Sequence, residues 1–301
     1  MRRFLKRRAE WMLSSTVVGR VTRHRVRSKR LVLAYHGVIP EGEKSAGERS
    51  LFIRQRDFAA HLDVLREVAD IAALNDIDAA GDGRPRVAIT FDDAYRGAVD
   101  VGVRELVSRD MPATIFVAPA RLKDHVFWWD ALAHGSGDSA KVRDFAIDQL
   151  GGIDERVRAW AAQRSISASD DLPAFAKSAT VEELSAAVSQ KGITVGSHSW
   201  SHANLAALGT EELAIEVTRS RDWLRANFGD KAIPWLAYPY GIDSVGARLV
   251  LADASYRGAL RIVGGWHSYK NFSPFSRPRL NVPAGLSAEG LRARLVGAVL
   301  A

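Results

Sequence analysis

Short apolar runs that end in polar, chemistry-bearing residues recur along this chain, separated by stretches with helical spacing. Leu31–Tyr35 (LVLAY) reads as a buried strand ending at His36-Gly37. Val87–Phe91 (VAITF) ends at Asp92-Asp93, and Thr114–Val117 is entered through Pro112. Ile193–Gly196 leads to His198, and Trp235–Tyr238 to Pro239-Tyr240-Gly241. Between them, Phe58, Leu62, Leu65 and Val68 mark a helix over 56–69. Further helices are expected over 99–107, 181–191, 245–254 and 287–300, and over 210–228 with Thr210 as cap and Glu211 and Glu212 in the first turn. Such alternation predicts an α/β fold with a parallel sheet under covering helices. Polar residues placed repeatedly after strands match the catalytic rim of a β/α barrel. Residues 131–179, rich in Ala, Asp, Ser and charge, read as a helical insertion in a domain spanning 31–301.

The composition narrows the chemistry. Apolar residues make up 47% and charged residues 26% of the 301, values of a chain with a sizeable core. There is no cysteine. Disulfides, thiolate metal sites and thiol nucleophiles are therefore excluded, and a metal would need His, Asp and Glu. The net charge of +7 sits in an N-terminal arm: residues 1–30 hold eleven Lys and Arg against Glu10 alone, and residues 31–301 are slightly acidic. The arm has no apolar run of bilayer length and no clean signal-peptide core, so the chain is expected to be cytoplasmic. Phe4, Leu5, Trp11, Met12 and Leu13 among the basic residues suit peripheral contact with an anionic membrane face. A solvated tail or partner-docking segment is the plainer alternative. No zinc-finger, RNP-like or helix-turn-helix signature accompanies the charge, so nucleic acid is not expected as a partner.

Two constellations carry the chemistry. In Thr90-Phe91-Asp92-Asp93, adjacent carboxylates follow a strand, and like charges that close need a cation beside them. In Ser197-His198-Ser199-Trp200-Ser201-His202, two histidines stand four apart. On one helical turn they would share a face and reach one ion, with the serines and Asn204 available to fix their tautomers. Two histidines and one carboxylate leave open positions on a metal, the pattern of a catalytic site.

At these residues the chain resembles the NodB-homology polysaccharide deacetylase family. ITFDDAYRGAVD is similar to the family's first motif, GSHSWSHANL to its second and LAYPYG to its third. LAYHGV and FWWDAL extend the resemblance over residues 31–283. It implies a deformed (β/α) barrel and hydrolysis of N-acetyl groups on N-acetylhexosamine units of a polysaccharide or lipid-linked precursor, in exopolysaccharide, capsule or adhesin synthesis. Asp92 matches the general base, and Asp93, His198 and His202 the metal ligands. Zinc is the default for such donors, while cobalt, nickel or iron also fit. In Pro239-Tyr240-Gly241, the Tyr240 backbone N–H matches an oxyanion donor. His36 matches the general acid of a branch in which that motif is permuted to the front, and His267 is its competitor. Ala94 stands where glycine is usual. No Arg precedes the third motif, so the charge paired with the base is expected from Arg279 or Arg277. Trp129 suits a sugar face and equally a core position. Two further readings remain: the same chemistry on a small cyclic amide, and an inactive glycan-binding module in a synthase complex.

Overall fold

The computed structural model describes residues 29–80, 83–133, 139–266 and 273–295. The basic arm before residue 29 and His267 lie outside them. Seven parallel strands form a closed barrel: β1 Arg30–Tyr35, β2 Arg86–Phe91, β3 Ala113–Val117, β4 Ile193–Ser197, β5 Ala232–Ala237, β6 Gly258–Ile262 and β7 Arg277–Asn281. β1 closes the ring by pairing with both β2 and β7. A two-residue strand, Asp70–Ile71, pairs in parallel beside the start of β2. The α/β barrel expected from the alternation is the fold observed.

Strand parity sorts the core into two layers, because successive side chains point to opposite faces. Leu31, Leu33 and Tyr35, with Val87, Ile89, Phe91, Ile115, Val117, Ile193 and Val195, pack outward with the helices. Val32, Ala88, Phe116, Trp235, Ala237 and Leu260 fill the interior. Leu74 and Ile77 join that inner cluster, and Asn75 accepts a hydrogen bond from Trp235 Nε1 at 2.8 Å. The 74–77 segment thus closes one end of the barrel. The same parity carries His36, Asp92 and His198 inward at the other end. Each continues an inner row: Val32 and Ala34, Ala88 and Thr90, Thr194 and Gly196. Gly196 must lack a side chain, since a Cβ there would lie 2.6 Å from the Phe116 ring.

The covering helices are α1 Gln55–Val68, α2 Val103–Val107 (preceded by a π turn over Ala98–Gly102), α6 Val181–Val188, α7 Thr210–Phe228, α8 Val245–Asp253 and α9 Ala288–Leu295. The cap of α7 is Gly209 rather than Thr210: its N–H donates to Glu212 Oε2 at 3.3 Å. Between β3 and α6 the chain forms α3 Trp128–Ala131, α4 Ser139–Asp148 and α5 Asp154–Gln163, the last two within the 131–179 stretch read as helical. Trp128, Ala146, Ile147, Val157 and Ala161 form a core between these helices, against which Tyr240 and Ile242 from the barrel rim also pack. Among the described residues no helix is long and apolar enough to cross a membrane.

Candidate active site

The turn after β2 sets the first pair of carboxylates. Asp93 and Ala94 both adopt left-handed backbone, φ 68° and 49°. Ala94 occupies that region with a Cβ, which is unfavourable for any residue but glycine. The turn lets two adjacent carboxylates enter one cleft. Asp92 is 1% exposed and forms a two-pronged ion pair with the fully buried Arg279, at 2.7 Å for each oxygen. Arg279 also donates to Thr90 Oγ1 at 3.2 Å. Burial alone would raise the Asp92 carboxyl, but the Arg279 guanidinium, helped by His198, holds it well below the usual carboxylate range. Arg277 lies two residues earlier and pairs with Asp78 through both oxygens, so it is not the partner of Asp92.

Asp93 serves a different cluster. Its Oδ1 lies 3.1 Å from His202 Nε2 and 3.5 Å from His198 Nε2, and it is buried without a hydrogen-bond donor. The helical turn expected over 198–202 is absent. Ser199 and His202 take left-handed backbone (φ 62° and 64°), and the chain loops back to bring the second imidazole over the first. Glu216 of α7 pins that loop, accepting from Trp200 N–H, Ser201 N–H and Ser201 Oγ at 2.7 to 2.9 Å. Nor do the serines or Asn204 fix the histidine tautomers. His198 Nδ1 instead faces the Ala237 carbonyl at 2.7 Å. A carbonyl only accepts, so Nδ1 carries the proton and Nε2 turns a lone pair into the site. Burial lowers both imidazoles, His202 to about 3, which keeps them in the neutral form that binds metal. Burial pushes the Asp93 carboxyl up, as expected of a buried charge short of compensation. Two neutral imidazoles and the Asp93 carboxylate, with ligand atoms within 4.8 Å of one another and an oxygen lacking a donor, fit a divalent ion.

His36 follows β1, the strand between those of Asp92 and Arg279, and its Nε2 stands 3.9 Å from Asp92 Oδ2. Burial lowers its pKa against the opposing pull of Asp92 and Asp93. Asp92, Asp93, His36, His198 and His202 line a cavity of about 120 Å³, walled by Ser50, Leu51, Trp129, Arg143, Tyr240, Gly241, Ile262 and Asn281. A larger exterior groove of about 630 Å³, along Val99, Val103 and Ala187, has no such cluster of donors.

Trp129 takes the rim position rather than the core, while Trp128 is buried at 2% exposure. Trp129 stacks on Phe127 and packs 4.9 Å from His202, and its Nε1 donates to Tyr95 Oη at 2.9 Å. Tyr95 in turn donates to the buried Asp130 at 2.5 Å, and Asp130 accepts from Glu48 N–H at 2.7 Å. This chain of bonds ties Trp129 to the loop that presents Ser50 and Leu51. Tyr240 has left-handed backbone, φ 60°, and lays its ring edge-on to His202 at 4.8 Å. Its hydroxyl accepts from Trp128 Nε1 and donates to the Gly152 carbonyl at 2.8 Å. Pro239 is buried in the same turn and does not line the cavity. Sequence reasoning missed Glu216, Arg143 and Asn281. Only Asn281 carried a signal, as the last residue of a strand.

Gly152 offers a direct test of this packing. It has φ 63°, and a Cβ there would lie 2.4 to 2.6 Å from the Tyr240 ring and hydroxyl. Gly152→Ala is expected to cost about 2–4 kcal/mol, from left-handed strain and overpacking together. It should also raise KM by displacing Tyr240. Chemical denaturation and steady-state kinetics read the two effects, and an unchanged KM would show that the Tyr240 ring has no part in binding.

The family model described as "Polysaccharide deacetylase" matches residues 79–259, more than half of the chain. That segment contains Asp92, Asp93, His198, His202 and Tyr240 and leaves His36 and Arg279 outside. No curated protein matches the chain by sequence. Among solved structures, the chain is similar to the Streptococcus pyogenes deacetylase PplD in complex with acetate (16% identity, 87% of this chain and 96% of that one, TM-score 0.60). It is also similar to IcaB from Ammonifex degensii (17%, 90% and 98%, 0.61) and to a polysaccharide deacetylase from Bacillus cereus (16%, 89% and 69%, 0.62). At such identities the likeness is one of fold.

Proposed function

The chain belongs to the polysaccharide deacetylase family, and on that premise we propose that it hydrolyses N-acetyl groups on N-acetylhexosamine units of a glycan during exopolysaccharide synthesis. The observation that carries this reading is the division of labour between neighbouring carboxylates. Asp92 is tied to Arg279, and Asp93 faces two neutral imidazoles with an oxygen left without a donor. Asp93, His198 and His202 hold the metal, with zinc as the ion that best suits two imidazoles and one carboxylate. When bound, the ion polarises the acetyl carbonyl and acidifies water.

The remaining steps belong to the protein. Asp92, kept ionised by Arg279, accepts the proton of the attacking water. The Tyr240 N–H, presented by its left-handed turn, donates to the oxygen that gains charge. The water oxygen bonds to the carbonyl carbon, the C–N bond breaks, and nitrogen leaves as a neutral amine on the proton that Asp92 took up and His36, 3.9 Å away, passes on. Trp129 and Tyr240 form apolar walls against the sugar face and the acetyl methyl. The basic arm supports action at the cytoplasmic face of a membrane, where a nascent or lipid-linked glycan is met before export.

Stripping metal with a chelator is expected to abolish acetate release from an N-acetylglucosamine oligomer, and one equivalent of zinc per chain to restore it. Acetate assay and metal analysis follow both. Release that persists in metal-free protein would overturn the role given to Asp93, His198 and His202.

A further inference from the structure

We infer that Arg143 makes the mouth of this cavity a subsite for an anionic substituent, a carboxylate or a phosphate, carried next to the N-acetylated sugar. This rests on the deacetylase reading and names the class of glycan it favours. Arg143 is set by the insertion, not by the barrel. It lies on α4 three and four residues before Ala146 and Ile147, which are buried in the cluster that Tyr240 joins. Residues at those spacings share a helix face, so the face that anchors α4 also turns Arg143 toward the cavity it lines. Its charge is near enough to act on the Tyr240 hydroxyl.

The charge balance of the cavity then matters. Its acidic lining residues are Asp92 and Asp93. Asp92 is engaged by Arg279, and Asp93 belongs to the Asp-His-His cluster. Among the described residues, Arg143 has no carboxylate or carbonyl partner and is exposed to solvent, whereas Arg279 beside Asp92 is paired, as is Arg121, which binds Glu155 and the Ser201 carbonyl. A neutral N-acetylglucosamine polymer gives a guanidinium no counter-charge. A uronic acid neighbour, or the diphosphate of a lipid-linked sugar, accepts its fork of N–H donors through two oxygens.

The test compares three substrates in the metal-loaded enzyme: an N-acetylglucosamine trimer, a tetrasaccharide alternating N-acetylglucosamine with glucuronate, and N-acetylglucosamine linked through diphosphate to a short prenyl chain. At least one anionic substrate is expected to exceed the trimer in kcat/KM by about tenfold or more, through KM, and to lose that advantage at high salt. Which one wins distinguishes carboxylate from phosphate. Arg143→Ala should bring the ratio near parity and Arg143→Lys should restore it in part. Calorimetry measures binding of the same three glycans in parallel. Absence of turnover on every glycan sinks the deacetylase reading, and the Arg143 inference is then decided by affinity alone. Equal preference in the wild type, or a preference that survives Arg143→Ala, overturns it.

Discussion

Asp92→Asn is expected to lower acetate release by about 10²- to 10⁴-fold, the usual range for losing a positioned general base, while the protein still binds one metal ion per chain. The substitution keeps the shape of the side chain but only one of its two bonds to Arg279, because the amide nitrogen cannot accept, and it removes the basic oxygen. Metal content should survive because Asp92 is not in the cluster of Asp93, His198 and His202. Asp93→Asn should show the reverse order, losing metal first and activity in consequence. Metal analysis and single-turnover kinetics on the two variants separate base from ligand. An Asp92→Asn protein that cannot hold metal, or that turns over at the wild-type rate, would overturn the assignment. Since its folded pKa is depressed, Asp92 contributes stability that is complete above the unfolded carboxylate value of about 3.9 and is lost as pH falls below it. The acid limb of the rate profile should therefore not come from Asp92 in the wild type.

Much of this arrangement is legible in the sequence because a barrel strand has period two. LVLAY, VAITF and the run ending at His198 announce themselves as buried strands, and parity then carries His36, Asp92 and His198 into the barrel. The histidine spacing pointed to the right pair of residues for the wrong geometry. A helical turn and a loop with two left-handed residues both bring positions 198 and 202 together, and only the second occurs. Arg279 shows where local pattern ends. Arg277, Arg279 and Asn281 share one face of β7, so parity alone cannot choose among them. The choice is made by height in the barrel: Arg277 is level with Leu260 and meets Asp78, while Leu280 is level with Leu33, which brings Arg279 up to Asp92. That register is a tertiary quantity fixed by ring closure. The helices over 139–148 and 154–163 were legible as helical sequence, but which of their side chains face the cavity depends on how their shared core docks against Tyr240.

Arg279→Met is expected to cost about 3–5 kcal/mol in stability, because it strands the Asp92 carboxylate in a site that is 1% exposed. The same change reverses the electrostatics of the base. With the guanidinium gone, burial is the dominant influence on Asp92, and its carboxyl moves up from its depressed wild-type position. The acid limb of activity should then shift to higher pH, and a folded pKa above the unfolded one makes the variant lose stability as pH rises through that range. Arg279→Lys keeps a charge but offers no fork to bridge both oxygens, so its effects should be intermediate. The decisive protein is the double variant Asp92→Asn with Arg279→Met. If the pair exists to set the state of the base, removing both charges should recover most of the lost stability, because a buried ion pair contributes little net stability once its desolvation is counted. Denaturant melts of the four proteins give a coupling energy, expected above about 1.5 kcal/mol. Costs that simply add would mean that the two side chains do not depend on each other, and the account of how Asp92 stays ionised would fail with them.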